Sequence, residues 1–293
     1  MPVITISRGT FSGGRALAEC LSRRLGYPCL SREEAFEGAR EYGISVERLL
    51  QAIDNPQSFW RQLTAERTNY LSYLRKAMCD RMRDYNLIYH GHAGHLLLSG
   101  ISHVIRVRLN ATAEYRIKSA MARLNLDRKA AIAHIEKADR ERVKWTRFLY
   151  GGEWHDPWRP AEQYGAHGTT RIACGEEWYN PSYYDVVFNL GPLTLESACD
   201  LVVQMAGMDE FQPTPASRQA VADLALGCRV WAALARDDRT RGISAKVTAQ
   251  DGVVTVVGTA RSRQAVADVP AVARQVEGVK EVRYDVSVGA FLV

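Results

Sequence analysis

The sequence predicts an α/β fold, in which a parallel sheet flanked by helices is followed by a small, separate α+β unit. Over roughly the first two hundred residues, short apolar or β-branched runs alternate with amphipathic helical segments. Such alternation, with strands that are apolar throughout, is typical of a parallel sheet covered on both faces. Beyond residue 217 the predicted order changes to helix, strand, strand, helix and strand, which indicates a second domain.

The elements of the larger domain follow each other along the chain. Its predicted strands cover residues 3–8, 27–30, 86–90, 103–109 and 184–190. Its predicted helices cover residues 16–25, 56–85, 128–148 and 195–205, with a further helix starting at residue 112. Gly26 and Thr194 support two of these boundaries, because glycine often ends a helix and threonine often caps a helix start. The strand ends therefore alternate with helix starts, and in parallel sheets ligands bind at those ends.

The smaller domain is predicted from a hairpin signal. Asp251-Gly252 stands between two β-branched runs and favours a tight two-residue turn. The predicted elements are a helix over 217–236, strands over 244–249 and 253–257, a helix over 263–276 and a strand over 279–286. Two prolines mark the segment before it as a linker. We therefore predict domains over 1–207 and 217–293, joined by a linker over 208–216.

Composition narrows the class of protein. A net charge of +5 suits a partner that carries phosphate groups, but it is too small to indicate nucleic acid, and no nucleic-acid partner is expected. The six cysteines contain no C-x-x-C pair and are expected to be reduced, buried thiols. No apolar run approaches the ~20 residues of a membrane helix. We therefore expect a cytoplasmic protein with no transmembrane segment.

The turn after the first strand is the main functional signal. Gly9 and Gly14 have the spacing of a phosphate-binding P-loop, in which backbone N–H groups and the helix start face an anion. Arg15 stands where lysine is usual, and Ala16 stands where a hydroxyl would bind Mg²⁺. Ser12 or Ser7 could replace that hydroxyl, or phosphates and waters alone could hold the ion. The plainer alternative is a tight turn without a ligand.

Further motifs accompany this loop. They are Arg24-Leu25-Gly26-Tyr27-Pro28, Arg32-Glu33, residues 88–95, Glu114-Tyr115-Arg116, Asp139-Arg140-Glu141-Arg142 and residues 184–189. Together with residues 7–18, they resemble the cytidylate kinase-like family, a divergent branch of the P-loop nucleoside monophosphate kinases, over roughly residues 3–206. An arginine at the position of Arg15 is a trait of that family, whereas Gly9 and Phe11 depart from its glutamine and glycine.

The resemblance implies a kinase that uses ATP and Mg²⁺ on a P-loop nucleoside monophosphate kinase fold. It implies ATP binding by Gly9, Ser12, Gly13, Gly14, Arg15 and Ala16. It implies binding of a CMP-like acceptor by Arg32, His90, His92 and Arg116. It implies catalytic roles for Arg15, Arg140 and Arg142, the last two on a mobile lid. Positive charge at these places suits phosphoryl transfer, which depends mainly on positioning and charge stabilisation.

A second function remains open at this stage. His92 stands where related kinases carry arginine, and histidine is fully charged only below about pH 6.5. Together with Ala16, it favours a catalytically weak protein that senses nucleotides or acts as a scaffold. His90, His92 and His95 form a dense cluster that could bind a transition metal. Polar pocket lining is the plainer interpretation of that cluster, and no metal site is predicted.

Two aromatic-polar-proline turns delimit an unusual segment over residues 151–183. They are Trp154-His155-Asp156-Pro157-Trp158 and Trp178-Tyr179-Asn180-Pro181. Compared with the single turn of the family, roughly 25 residues are inserted. The segment is expected to form either an aromatic flap over a base or partner, or a surface loop or oligomer contact.

The C-terminal part resembles a BON domain over residues 217–289. The resemblance is carried by Val247, Asp251-Gly252-Val253-Val254-Thr255-Val256, Gly258 and Val276-Glu277-Gly278-Val279-Lys280-Glu281-Val282. It implies a protein, small-ligand or phospholipid partner. Since no catalytic constellation is visible here, we expect this domain to regulate or tether the kinase-like domain.

Overall fold

A computed structural model describes residues 1–37, 39–42, 44, 60–82, 86–91, 94–98, 100–150 and 181–289. The chain folds into two compact units, each formed by two stretches of sequence. One unit consists of Met1–Arg32 and Arg81–Thr214, and the other consists of Glu33–Asp80 and Pro215–Val293. The second unit therefore combines an early stretch of the chain with the C-terminal region. The predicted domains, 1–207 and 217–293, stay a prediction.

The first unit is built on a five-stranded parallel sheet. Its strands are β1 Val3–Arg8, β2 Cys29–Ser31, β3 Leu87–His90, β4 Val104–Ala111 and β5 Val186–Leu190. Their order is β2-β3-β1-β4-β5, and every pairing is parallel. The central strand aligns Ile6 with His90 on β3 and Ser7 with Arg108 on β4. This arrangement confirms the predicted parallel sheet and brings the ends of β1, β3 and β4 together.

The helices lie close to the predicted positions. They are α1 Gly14–Leu25, α2 Arg32–Glu37, α3 Trp60–Arg81, α4 Gly94–Leu97, α5 Ala113–Leu124, α6 Arg128–Tyr150, α7 Leu195–Ala206, α8 Pro215–Arg236 and α9 Arg263–Ala273. Thr112 and Thr194 cap α5 and α7 by accepting N–H groups of the first turn. Of the helices in the described ranges, none has the length and apolar character needed to cross a bilayer.

The core of the first unit lies between the sheet and helices α1 and α7. Ile4, Ile6, Ile105 and Val107 point to this side and are buried with the apolar faces of both helices. Cys20 on α1 and Cys199 on α7 form a disulfide here. The expectation of reduced thiols is therefore wrong for this pair. Its partners are 179 positions apart, so only the packing of α1 on α7 reveals the pairing.

The second unit contains the predicted hairpin. Strands β6 Ser244–Gln250 and β7 Val253–Ala260 are antiparallel, and β8 Glu281–Val288 pairs with β7 in parallel. Asp251 and Gly252 both have positive φ, +51° and +88°, as the tight turn requires. Helix α8 begins at Pro215, two residues before the predicted start, because proline is favoured in the first helical turn.

The same unit includes a short 3-10 turn, Ala39–Tyr42, and helix α3. Tyr42 stacks on Trp231 of α8 with the ring centroids 5.5 Å apart. Trp231 is 2% exposed and is one of the largest buried side chains of the unit. The stretch between β2 and β3 is therefore packed on the helix that opens the C-terminal region.

Candidate functional site

The turn between β1 and α1 lies at the carboxyl end of the central strand. Ser12 ties it to the neighbouring strand β4, since its Oγ donates to the carbonyl oxygens of Gly9 at 2.9 Å and Leu109 at 3.0 Å. The Gly9 N–H also donates to the Leu109 carbonyl oxygen, at 3.1 Å. These bonds fix residues 9–13, which we call the phosphate loop, at the edge of the sheet where ligands bind.

The last residues of the phosphate loop lead directly into the start of helix α1. Gly13 is the N-cap residue of α1, has a φ of +85° and contributes no side chain as a cap. The first N–H groups of a helix have no partner within the helix and favour an anion. At Gly14, a Cβ atom would meet the Cβ of Arg8 at 2.8 Å, so glycine lets that side chain cross the helix start. The local geometry therefore suits a phosphate group.

Arg15 lies on the exposed side of the first turn of α1. Its Nε donates to Oε1 of Glu19 at 2.7 Å, and the two side chains are 64% and 52% exposed. An exposed pair of this spacing contributes only about 0.3–0.5 kcal/mol. The Arg15 guanidinium can therefore exchange Glu19 for a stronger, charge-assisted hydrogen bond to a phosphate. Its catalytic and ATP-binding roles stay predictions.

Phe11 anchors the tip of the phosphate loop. It packs against a small apolar cluster between α5 and α6, formed by Ile117, Ala120, Ala131 and Ile135. Its ring also meets His134 edge-on, with the centroids 5.7 Å apart. Phe11 has a φ of +55°, a conformation that favours glycine. The large side chain at this position thus compensates by packing for an unfavourable backbone conformation.

Arg116 connects the phosphate loop to α6. From α5, its Nε donates to the Thr10 carbonyl oxygen at 2.7 Å and its Nη2 donates to Oδ2 of Asp139 at 2.6 Å. The Arg116 side chain is 21% exposed, which shields this pair partly from solvent. Its predicted role in acceptor binding stays a prediction, but its guanidinium is engaged here by the loop and by α6.

The predicted acceptor side lies at the ends of β2 and β3. Ser31 and His90, the last residues of these strands, are aligned partners, and Arg32 opens α2 directly afterwards. His90 is buried, and Gly94 at the start of α4 lies against Tyr89, since a Cβ at Gly94 would meet the Tyr89 ring at 2.8 Å. Arg32 and His90 therefore share one edge of the sheet with the phosphate loop. His92 lies outside the described residues.

The predicted lid residues belong to α6. Asp139 is held by Arg116, and Arg140 follows it on an exposed position of the helix. Arg142 is also part of α6, but its side chain lies outside the described part of the chain. The catalytic roles of these arginines stay predictions.

His95, on α4, lies on the face of the sheet that is opposite to helices α1 and α7. Its Nδ1 lies 3.2 Å from the Ser7 Oγ, and the ring packs against Tyr184. Burial, and then the positive charges of Arg106 and Arg108, lower the pKa of His95 from its ordinary 6.5 to about 3. His95 is therefore neutral near pH 7 and supplies no positive charge. Over the described ranges, no group of three His, Cys, Asp or Glu side chains is arranged to hold a metal ion.

A family model matches the part of the chain that contains this loop. Residues 3–159 match the model of the cytidylate kinase-like family, and this is more than half of the 293 residues. The chain belongs to the cytidylate kinase-like family. Residues 222–290 of this family member match the BON domain. No curated protein matches it. The sheet, the phosphate loop and the family together give a nucleotide kinase-like fold.

Solved structures resemble this cytidylate kinase-like chain at low identity. An uncharacterized protein from Eubacterium ventriosum is 18% identical, with 70% of this chain and 97% of that chain covered and a TM-score of 0.47. Shikimate kinase from Acinetobacter baumannii, in complex with shikimate, is 11% identical, with 70% and 92% covered and a TM-score of 0.35. Shikimate kinase from Bacteroides thetaiotaomicron is 9% identical, with 71% and 99% covered and a TM-score of 0.39. Nothing about substrate follows from these similarities.

Most of the inserted segment of this family member lies outside the described residues. That holds for residues 151–180, and only Pro181–Tyr183 is described, as a 3-10 turn. The flap and the surface-loop interpretations both stay predictions.

Two contacts of the candidate site were not predicted from the sequence. The pairing of Arg15 with Glu19 could have been predicted from the sequence, because opposite charges four residues apart meet on a helix. The bond from Arg116 to the Thr10 carbonyl is not readable, since it joins residues 106 positions apart and involves a backbone atom.

Proposed function

We propose that this protein transfers the γ-phosphoryl group of ATP to a nucleoside monophosphate of the CMP or dCMP type. The C-terminal BON module regulates or tethers this activity. The observation that carries the proposal is the phosphate loop, fixed at the carboxyl end of β1 by Ser12 and by Arg116. It occurs in a chain that belongs to the cytidylate kinase-like family.

The residues have distinct roles in this proposal. When ATP is bound, it supplies the transferable phosphoryl group, and the N–H groups of Gly13, Gly14 and Arg15 hold its phosphates. Arg15 leaves Glu19 and neutralises charge on the phosphates. Arg32 and His90 lie on the acceptor side, and Arg140 and Arg142 close over the transferred group from α6. Positioning and positive charge are the main demands of this reaction.

The described residues do not form a complete Mg²⁺ site. Ala16 offers a methyl group where a hydroxyl ligand would be needed, and Ser12 is 1% exposed, with its hydroxyl directed at the carbonyl oxygens of Gly9 and Leu109. A Mg²⁺ ion at the phosphates would rely on phosphate oxygens and waters, a mode common for this ion. We assign no step of the reaction to the ion.

The second candidate function is nucleotide sensing without turnover. It is favoured by the missing hydroxyl at Ala16 and by His92, which stands where related kinases carry arginine. In this case the loop would bind a nucleotide weakly, and occupancy would be transmitted to the BON module.

ADP release in the presence of ATP, Mg²⁺ and one monophosphate at a time separates the two functions. We expect ADP release that depends on CMP or dCMP and falls at least about tenfold in Arg15→Ala. Arg23→Ala is the matched control, because Arg23 is an exposed arginine in the last turn of the same helix. If the protein binds ATP but turns over no acceptor, the kinase function is refuted and nucleotide sensing is supported. Full activity of Arg15→Ala would show that the phosphate loop is not part of the active site.

A further inference from the structure

We propose that strand β8 is an interaction surface for a second copy of this chain, whose own β8 pairs with it in antiparallel orientation. The two three-stranded sheets then form one continuous sheet, with a two-fold axis at Tyr284. This inference goes beyond the proposed kinase function and does not depend on it.

Strand β8 forms one edge of the C-terminal sheet. The strand order is β6-β7-β8, and within the described residues β8 pairs with β7 alone. Gly289, just after β8, donates its N–H to the carbonyl oxygen of Ala260 at 2.9 Å, so the odd-numbered residues of β8 direct their backbone groups at β7. Since these groups alternate in direction along a strand, those of Val282, Tyr284 and Val286 point to the open side. They are placed to pair with a further strand.

The β8 edge lacks the features by which natural edge strands avoid pairing. β8 contains no proline and no lysine, and it runs beside β7 over its whole length without a bulge. Tyr284 and Val288 are both 48% exposed on this strand. The other edge strand, β6, contains Lys246, a residue type that opposes the addition of a strand. The regular, exposed edge of β8 therefore favours a partner strand.

The charge pattern of β8 is complementary to itself. Arg283 and Asp285 flank Tyr284 and lie on the same face of the strand, since side chains alternate between the two faces. In an antiparallel pair with Tyr284 opposite its own copy, Arg283 lies opposite the partner subunit's Asp285, and Asp285 lies opposite the partner subunit's Arg283. These positions are not hydrogen-bonded, and there opposite side chains come closest, with Cα atoms about 4.5 Å apart. The two copies therefore attract each other through two ion pairs.

Other registers of the same two strands fit less well. An axis at Arg283 or at Asp285 would place like charges opposite each other, which is destabilising. An axis at Val282 would pair only residues 281–283 of the two strands, whereas the axis at Tyr284 pairs residues 281–287 and brings the outward backbone groups of both copies together.

Arg283 is able to reach the partner subunit. Within its own chain its Nε donates to Oε1 of Glu281 at 2.7 Å, and the two side chains are 66% and 52% exposed. An exposed pair contributes only about 0.2–1 kcal/mol. The Arg283 guanidinium can therefore turn towards the partner subunit's Asp285, or accept it beside Glu281, at little cost.

Charge-reversal variants of the 293-residue chain test this surface by analytical ultracentrifugation. We expect the wild-type protein to form a dimer with a Kd of about 10 µM, in keeping with a small interface. Arg283→Asp and Asp285→Arg each turn two attractive pairs into two repulsive ones, so each variant should dimerise at least about tenfold more weakly. Arg263→Asp, at an exposed arginine of α9, is the matched control and should dimerise like the wild type. A wild-type protein that is still monomeric at about 100 µM would overturn the proposal.

A mixture of the two variants tests the register. The Arg283→Asp chain carries aspartate at both positions and the Asp285→Arg chain carries arginine at both, so a mixed dimer again contains two opposite-charge pairs. We expect the equimolar mixture to form dimers with an affinity within about threefold of the wild type. Both variants alter exposed side chains and should keep the circular dichroism of the wild type, so misfolding does not explain a lost dimer. A mixture that associates no better than its components would contradict this register.

Hydrogen–deuterium exchange locates the contact on the chain. Exchange of residues 281–288 should slow as the protein concentration rises through the Kd, while exchange of residues 244–250 on β6 should stay constant. Dimers with unchanged exchange in β8 would show that another surface joins the two copies and would refute the proposal. None of these measurements needs phosphoryl transfer, so a failure of the proposed function leaves their outcome unaffected.

Discussion

Arg116 and Asp139 form an ion pair at 2.6 Å that fastens helix α6 to helix α5 beside the phosphate loop. The same guanidinium reaches the Thr10 carbonyl oxygen at 2.7 Å. One side chain therefore joins the loop that is expected to hold ATP with the helix that carries the predicted lid arginines. This connection makes the position of the loop depend on the position of α6.

Asp139→Asn tests this connection without altering a predicted ligand residue. The loss of the carboxylate charge weakens a partly buried pair by about 1 kcal/mol. We expect the affinity for ATP to fall about threefold to tenfold, measured by equilibrium titration. Glu114→Gln is the matched control. Glu114 on α5 pairs with Arg128 on α6 at 2.8 Å, so this pair joins the same two helices but does not include a residue of the phosphate loop. Equal losses in both variants would mean that general helix packing, and not this contact, governs the loop.

Phe11 provides a test of packing against backbone strain. Phe11→Ala removes the ring from the α5–α6 cluster and is expected to lower the free energy of unfolding by about 1–3 kcal/mol. Phe11→Gly removes the same ring but relieves the φ of +55°, which a non-glycine residue adopts at a cost of about 1 kcal/mol. In urea titrations, the glycine variant should therefore be at least as stable as the alanine variant. A glycine variant that is clearly less stable than the alanine variant would refute backbone strain at this position.

Glu19→Gln examines the competition for Arg15. Removing the carboxylate leaves the Arg15 guanidinium to bind phosphate without first breaking the pair at 2.7 Å. Since an exposed pair contributes about 0.3–0.5 kcal/mol, ATP should bind about twofold more tightly in this variant. Calorimetric titration at low salt gives the largest effect, because salt screens exposed pairs. Weaker binding in Glu19→Gln would show that Glu19 orients Arg15 for the phosphate instead of competing with it.

His95 predicts how stability depends on pH. Its pKa is lowered from 6.5 to about 3 in the folded protein, so between these values the unfolded chain binds one proton more than the folded chain. The contribution of His95 is therefore complete above pH 6.5 and is lost as the pH falls towards 3, by about 1.4 kcal/mol per pH unit. His95→Gln should flatten the pH dependence of the unfolding free energy over that window. A slope that is the same in His95→Gln and wild type would contradict a neutral, buried His95.

Local patterns gave the architecture because the relevant signals are close together in the sequence. The apolar run at residues 3–6 predicts β1, and Asp251-Gly252 predicts the hairpin, since each signal acts within one element or turn. The parallel order of the first sheet followed from strands separated by helices. These predictions need no knowledge of distant contacts.

The remaining features depend on contacts between distant residues. The disulfide of Cys20 and Cys199 requires α1 and α7 to be neighbours, which neither helix indicates alone. The contact of Tyr42 with Trp231 joins two residues that are far apart in the sequence, since Tyr42 precedes strand β3 and Trp231 follows strand β5. At the candidate site, the glycine pattern predicted the loop, whereas the support from Arg116 became visible only in three dimensions.

Transfer of a labelled γ-phosphate tests the central claim most directly. The 293-residue chain is incubated with Mg²⁺, ATP carrying radiolabel in its γ-phosphate, and CMP, and the products are separated. We predict label in CDP with the wild-type protein and a loss of at least about tenfold with Arg15→Ala. Label that stays in ATP or appears only as inorganic phosphate, with CMP and with every other nucleoside monophosphate, would contradict the account.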